Sequence, residues 1–85
     1  MTVLVLSGTP SLSLRPGISF ARASKLYSPL TISAVSKDGL FGRSPLVPGM
    51  VVLKINGNDA LWMHPDDAKK IVKASEQITL TIEAF

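Results

Sequence analysis

The chain has no cysteine. That absence removes disulfides, thiol catalysis and cysteine-based metal sites together, and it is compatible with the cytosol. Histidine occurs once, as His64, and the neighbouring Asp66 and Asp67 lack the spacing of a metal-ligand set. A serine–histidine–aspartate triad can be written on paper from the many serines, His64 and Asp66, but no nucleophile-elbow pattern accompanies it. Long hydrophobic runs are missing too. Nothing approaches the roughly 20 apolar residues of a membrane-spanning helix, and the early run Val3 to Leu6 follows no basic residue, so no signal peptide is expected. Repeats, linkers and low-complexity tracts are also absent, and residues 1–85 read as one compact domain.

What is present suffices for a fold. Apolar residues make up 46% of the chain, enough to form a core without a cofactor or metal. A domain of this size buries roughly 60–65% of its unfolded surface, which leaves its stability modest. The formal net charge of +3 argues mildly for acidic partners.

Along the chain, Thr2 to Leu6 is β-prone and stops at the turn formers Ser7-Gly8-Thr9-Pro10. Leu12 and Leu14 alternate with serines until Arg15-Pro16-Gly17 breaks the chain again. Ile18-Ser19-Phe20-Ala21 resumes a strand with Ile18 and Phe20 on one face. Ser24 to Pro29 reads as a loop carrying Lys25 and Tyr27. Leu30 to Val35 is expected as a strand with Leu30, Ile32 and Ala34 on one side, and Asp38 as the cap of a helical turn through Leu40 and Phe41.

Ser44 to Gly49 is a proline-studded turn. Met50 to Ile55, apolar apart from Lys54, is expected to be buried on both faces, and Asn56-Gly57 suits a tight turn with positive φ. Ala60 to Met63 is a candidate short strand, with Trp62 and Met63 as packing residues. Pro65 opens a helix at a first-turn position, followed by Asp66 and Asp67 at its positive end and Lys69, Lys70 and Lys73 later. Those lysines read most simply as a solvated face partly paired with Asp66 and Asp67. Gln77 to Ile82 closes the chain, with Ile78, Leu80 and Ile82 alternating against Thr79 and Thr81. The Thr9-Pro10, Ser28-Pro29 and Ser44-Pro45 pairs read as turn chemistry. The fold class is therefore mainly β with one principal helix (α+β): a small, partly open barrel or sandwich of five to six strands, its opening covered by helix.

Three motifs in order resemble the PDZ domain family. Arg15-Pro16-Gly17-Ile18 stands where that family carries a glycine loop before its second strand, with Pro16 where leucine is commoner. Val52-Leu53-Lys54-Ile55-Asn56-Gly57 matches its apolar run ending in Asn-Gly, and Ala68 with Ile71-Val72 matches its second helix. The family usually has aspartate after the glycine at the start of the fourth strand; here Met50 follows Gly49, and Pro48 is expected to stiffen that turn instead.

The resemblance implies an adaptor that catalyses nothing, needs no cofactor or small-molecule substrate, and captures the free C-terminal tail of a partner protein by strand addition. Its carboxylate loop would be Arg15, Pro16, Gly17 and Ile18, with backbone amides converging on the anion. Its side-chain pocket and groove would use Ile18, Ser19, Phe20 and Val72, with His64, Pro65 and Lys69 on the helix. Selectivity for the peptide's third-from-last residue stays open between His64, which would accept a hydroxyl, and Lys69, which would favour an acidic or phosphorylated residue. Ile18, Phe20 and Val72 would also be apolar simply to fill a core, but Gly17 at the loop together with this order of elements favours the pocket. The rival readings are a basic surface (Arg22, Lys69, Lys70, Lys73) docking to acidic lipid headgroups or, less well, nucleic acid, and a structural or dimerising unit with an unused groove. The module is expected in the cytoplasm or at the inner membrane surface through its partners, as a monomer or part of a larger chain.

Overall fold

The computed structural model describes residues 2–22 and 28–84. Within them lie β1 (Thr2–Gly8), β2 (Ile18–Ala21), β3 (Thr31–Val35), β4 (Val51–Ile55), β5 (Asn58–Asp59), α1 (Pro65–Ala74) and β6 (Ile78–Ala84). The strands form one antiparallel sheet in the order β1-β6-β4-β3-β2, with β5 paired to β4. The sheet does not close: β1 and β2 are its two edges, and α1 packs across β2 and β4. The expected loop residues Lys25 and Tyr27 lie outside the described residues.

The core follows from strand alternation. Ile78, Leu80 and Ile82 of β6 are fully buried, while Thr79 and Thr81 between them are half-buried. They meet Leu30 and Ile32 from the β3 side, Val52 and Ile55 of β4, and Ala68 and Val72 of α1. No side chain buried in the described residues is polar or charged, so the interior carries no unpaired polar group to offset.

Two β-bulges explain where the strands depart from simple alternation. In β4 the register steps from Val52↔Ile82 to Lys54↔Thr81, leaving Leu53 as the extra residue. Val52 and Ile55, an odd number of residues apart, can therefore both face the core, while Lys54 is exposed and Val51 and Leu53 are half-buried. The strand is thus one-sided, not buried on both faces as its composition suggests. In β3 the step from Ser19↔Ala34 to Phe20↔Ile32 makes Ser33 the extra residue. Alternation then flips, so Val35 packs against the core and Ala34, expected inside, is exposed.

The turns obey local chemistry. Ile55 pairs with Asn58 around Asn56-Gly57, whose φ values of 52° and 82° are those a two-residue hairpin turn requires. Pro48-Gly49 forms a turn with Gly49 at φ 96°, closed by Met50 N–H to Val47 C=O at 3.4 Å, and Met50 is buried where the family's aspartate would be polar. Ser44 Oγ donates to Phe41 C=O at 2.6 Å, so this Ser-Pro site is turn chemistry.

Three expectations are corrected here. Residues 36–42 form turns closed by i→i+3 bonds, Gly39 N–H to Ser36 C=O (3.1 Å) and Gly42 N–H to Gly39 C=O (3.0 Å), with no capping bond from Asp38 among the described residues. The short strand is β5, two residues before Ala60–Met63, because it must register with β4 directly after the hairpin turn. Trp62 is 60% exposed. Met63 N–H bonds to Ala60 C=O at 3.1 Å, so the ends of that turn face inward and its middle faces solvent.

Candidate functional site

The strand at one edge of the sheet, β2, pairs with β3 on one side only. Its other edge opens onto a groove against α1. Ser36 N–H donates to Gly17 C=O at 2.7 Å, toward β3. All peptide bonds in the described residues are trans. The Ile18 N–H, in the same peptide unit as the Gly17 carbonyl, therefore points the opposite way, onto the open edge. Antiparallel alternation puts the amide and carbonyl of Phe20 on that edge as well. Among the described residues no strand pairs with this edge, which leaves a row of donors and acceptors, the template an added strand needs.

Before β2, the loop Arg15–Gly17 is held from behind. Leu40 N–H donates to Arg15 C=O at 2.7 Å, beside the Ser36–Gly17 bond. Gly17 adopts φ +63°, and a Cβ added there would stand 2.9 Å from Ser36 Cβ and 3.1 Å from Gly39 Cα. Gly39 faces it: a Cβ at that position would meet Gly17 Cα and Pro16 O at 3.0 Å each. The loop and the 36–42 turn thus pack backbone on backbone, and this close approach fixes the direction of the Ile18 amide. Pro16, lacking an N–H, contributes shape and no donor.

The groove has a volume of about 750 Å³, within the range of ligand clefts. Arg15, Pro16, Gly17, Ile18 and Phe20 line it from the loop and β2, and Lys69, Val72 and Lys73 from α1. Its apolar floor is Ile18, Phe20 and Val72. Ile18 and Phe20 are only partly buried, so they do not merely fill the core.

Of the residues singled out from sequence, Ser19, His64 and Pro65 do not line the groove. Ser19 is exposed on the other face of β2. His64 is the N-cap of α1, with φ −68° and ψ 140°, and its Nδ1 accepts the Asp66 N–H at 3.1 Å. Pro65 follows it as the first helical residue. With Nδ1 accepting, the ring proton of neutral His64 resides on Nε2. Asp66 Oδ2 lies 3.7 Å from the same nitrogen, so the Asp66 side chain is folded back beside the cap. Among the described residues no lysine comes within 4 Å of Asp66 or Asp67, which corrects the expected pairing on that helix: all of these side chains are exposed, and water competes with a pair worth only about 0.2–0.5 kcal/mol.

Gly39 and the loop between β1 and β2, which brings Pro10, Ser11 and Leu12 to the groove rim, were not legible as site residues, and Lys73 was read only as part of the rival basic surface. That loop is a small turn closed by Ser11 N–H to Leu14 C=O (2.9 Å) and Leu14 N–H to Ser11 C=O (3.2 Å), and it presents Leu12 at 98% exposure. Lys73 had a signal, since it lies four residues after Lys69 on one helix face. Gly39 had none, because its role rests on a contact with Gly17 that local sequence does not encode.

An open antiparallel sheet, a helix laid beside one edge strand and a glycine loop at the mouth of the cleft define a small groove-bearing β module. The chain has the PDZ-domain fold. It superposes on the second PDZ domain of Dlg1 from the choanoflagellate Monosiga brevicollis with TM-score 0.85 at 16% identity, covering 99% of this chain and 100% of that one. The third PDZ domain of INAD, in a structure with a TRP channel tail, matches with TM-score 0.76 at 17% identity over 98% of this chain and 87% of that one. No protein-family model and no curated protein sequence matches the chain.

Proposed function

We propose that this protein is an interaction module that captures the free C-terminal tail of a partner protein in the groove between β2 and α1. The observation that carries the reading is the open edge of β2 beginning at a glycine loop whose carbonyls are tied back to Ser36 and Leu40. A tail adds there as a further strand, and its main-chain bonds supply affinity without regard to sequence. The terminal carboxylate sits at the amides around Gly17 and Ile18, with Arg15 nearby adding attraction. The last side chain enters the apolar floor of Ile18, Phe20 and Val72, where burying a valine or leucine contributes about 1.5–3 kcal/mol. INAD PDZ3 in complex with a channel tail is a precedent on this fold. The role is binding and not catalysis. Lys69, which lines the groove, is the selectivity residue on this reading, and His64 shapes the helix start.

Peptides with free C-termini, compared with their amidated forms, test the reading. Binding on the order of 1 μM, about −8 kcal/mol, lost on amidation and in Gly17→Glu, is the expected result. Indifference to amidation overturns it. One observation favours a second reading, docking to an acidic lipid surface: fully exposed Leu12 stands at the groove rim beside Arg15 and Lys73. That contact would weaken steeply with salt, whereas a groove contact resting on strand pairing and apolar burial would not.

A further inference from the structure

The edge of the sheet opposite the groove is β1, and among the described residues no strand pairs with its outer side. Edge strands are ordinarily blunted by a charged side chain, a proline or a bulge. Thr2–Gly8 carries none of the three: it contains only apolar, hydroxyl and glycine residues, and its register with β6 runs unbroken from Thr2↔Ala84 to Gly8↔Ile78. Val3 and Val5 are 56% and 64% exposed, while Leu4 and Leu6 on the other face pack against the core and stay half-buried.

The main-chain groups on the outer side follow from the ladder behind them. Asn56 N–H donates to Thr79 C=O at 2.8 Å, so Thr79 turns its main chain toward β4. Alternation turns that of Leu80 toward β1. Leu80 stands opposite Leu6, so Leu4 and Leu6 bond to β6. Val3, Val5 and Ser7 therefore direct their amides and carbonyls outward.

We infer that β1 is the docking surface for a second copy of this chain, whose own β1 pairs antiparallel to it about a twofold axis at Val5. In that register Val3 faces Ser7 of the second copy, Val5 faces Val5, and Leu4 faces Leu6, so the whole strand is matched. The outward residues meet as hydrogen-bonded pairs. Paired side chains share a face, so valine meets valine on the exposed face and leucine meets leucine on the core face. A twofold contact brings a strand against itself, and a charged strand would repel its copy. β1 has no charge to do so. Such a contact is closed and stops at two copies. The groove lies at the far edge, on β2, so each copy keeps its own open, and the inference stands independently of the tail-binding reading.

Sedimentation equilibrium of the full chain over a concentration series tests it. The mass should rise from 9.1 kDa toward twice that value and go no further. Val5→Lys and Val5→Glu each set like charges against one another at the axis and should weaken self-association at least about fivefold. Val5 is exposed, so both variants should keep the circular dichroism spectrum of the wild type. Mixing the two sets Lys against Glu and should restore the pair. Trp62→Lys, which removes an apolar side chain of similar exposure (60%) outside β1, should associate as the wild type does. A second readout needs no variant: the Val3, Val5 and Ser7 amides should exchange with deuterated water more slowly at high protein concentration than at low. A chain that stays monomeric to millimolar concentration overturns the inference. So does association untouched by Val5→Lys, a mixture no tighter than either variant alone, growth past two copies, or exchange at these amides that ignores concentration.

Discussion

Replacing Gly17 with alanine perturbs the one point where the loop, the 36–42 turn and the open edge of β2 meet. Two terms oppose the new side chain. An L-residue held at φ +63° costs about 1–2 kcal/mol. The added Cβ also falls 2.9 Å from Ser36 Cβ and 3.1 Å from a backbone atom of Gly39, so neighbours must move, which costs a further 1–3 kcal/mol or so. Lower entropy of the unfolded chain returns about 0.4–1 kcal/mol. The net loss is about 1–5 kcal/mol, against a total of roughly 4–13 kcal/mol for a domain of this length. Gly57→Ala is the matched control: its φ is +82°, but nothing lies within 4 Å of the added Cβ, so it carries the backbone term alone, about 1 kcal/mol net. Urea denaturation and thermal melts of both variants measure the difference, and the Gly17 variant should melt at least about 4 °C below the Gly57 variant. If Gly17→Ala loses no more stability than Gly57→Ala, the backbone-on-backbone packing behind the loop is wrong, and with it the argument for where the Ile18 amide points.

Asn56→Ala should cost about 2–3 kcal/mol in urea denaturation, because Asn56 holds φ 52° and ties Thr79 N–H and Ser75 Oγ at 2.8 Å each. Asn56→Gly, which spares the backbone strain, should recover about 1 kcal/mol of that. His64→Ala should lower stability by about 1 kcal/mol through loss of the helix cap while leaving tail affinity within about twofold, and His64→Asp should restore the cap. Isothermal titration beside thermal melts separates the two effects, and a large affinity loss without a stability loss would return His64 to the groove. Leu80→Ala, at a fully buried site, should cost about 2–5 kcal/mol and bring the domain close to unfolding at 25 °C.

Where the sequence was informative, the controlling interactions were local or periodic. Alternating Ile78, Leu80 and Ile82 declared β6, Asn56-Gly57 declared its turn, and Pro65 with two aspartates declared the helix start. Gly17 was legible because its loop stands in a recognisable order with the other motifs. What escaped depended on contacts between distant segments. The bulges at Leu53 and Ser33 arise from how neighbouring strands register, and no residue on either strand announces them. Gly39 matters only because Gly17 lies against it. His64 read as a groove candidate because its helix position was counted in sequence, whereas its ring turns to the nearest free backbone N–H at the helix start.

The central claim is that a free carboxylate docks at the amides of Gly17 and Ile18 while the tail pairs with β2. Titrating isotope-labelled protein with a free-ended peptide, and separately with its amidated copy, and following backbone amide resonances tests it most directly. The account predicts that the free-ended peptide moves the Gly17, Ile18 and Phe20 amides and the residues around Lys69 and Val72, and that the amidated copy leaves them in place. Shifts confined to Lys70 and the outer face of α1, or equal shifts from both peptides, would contradict it.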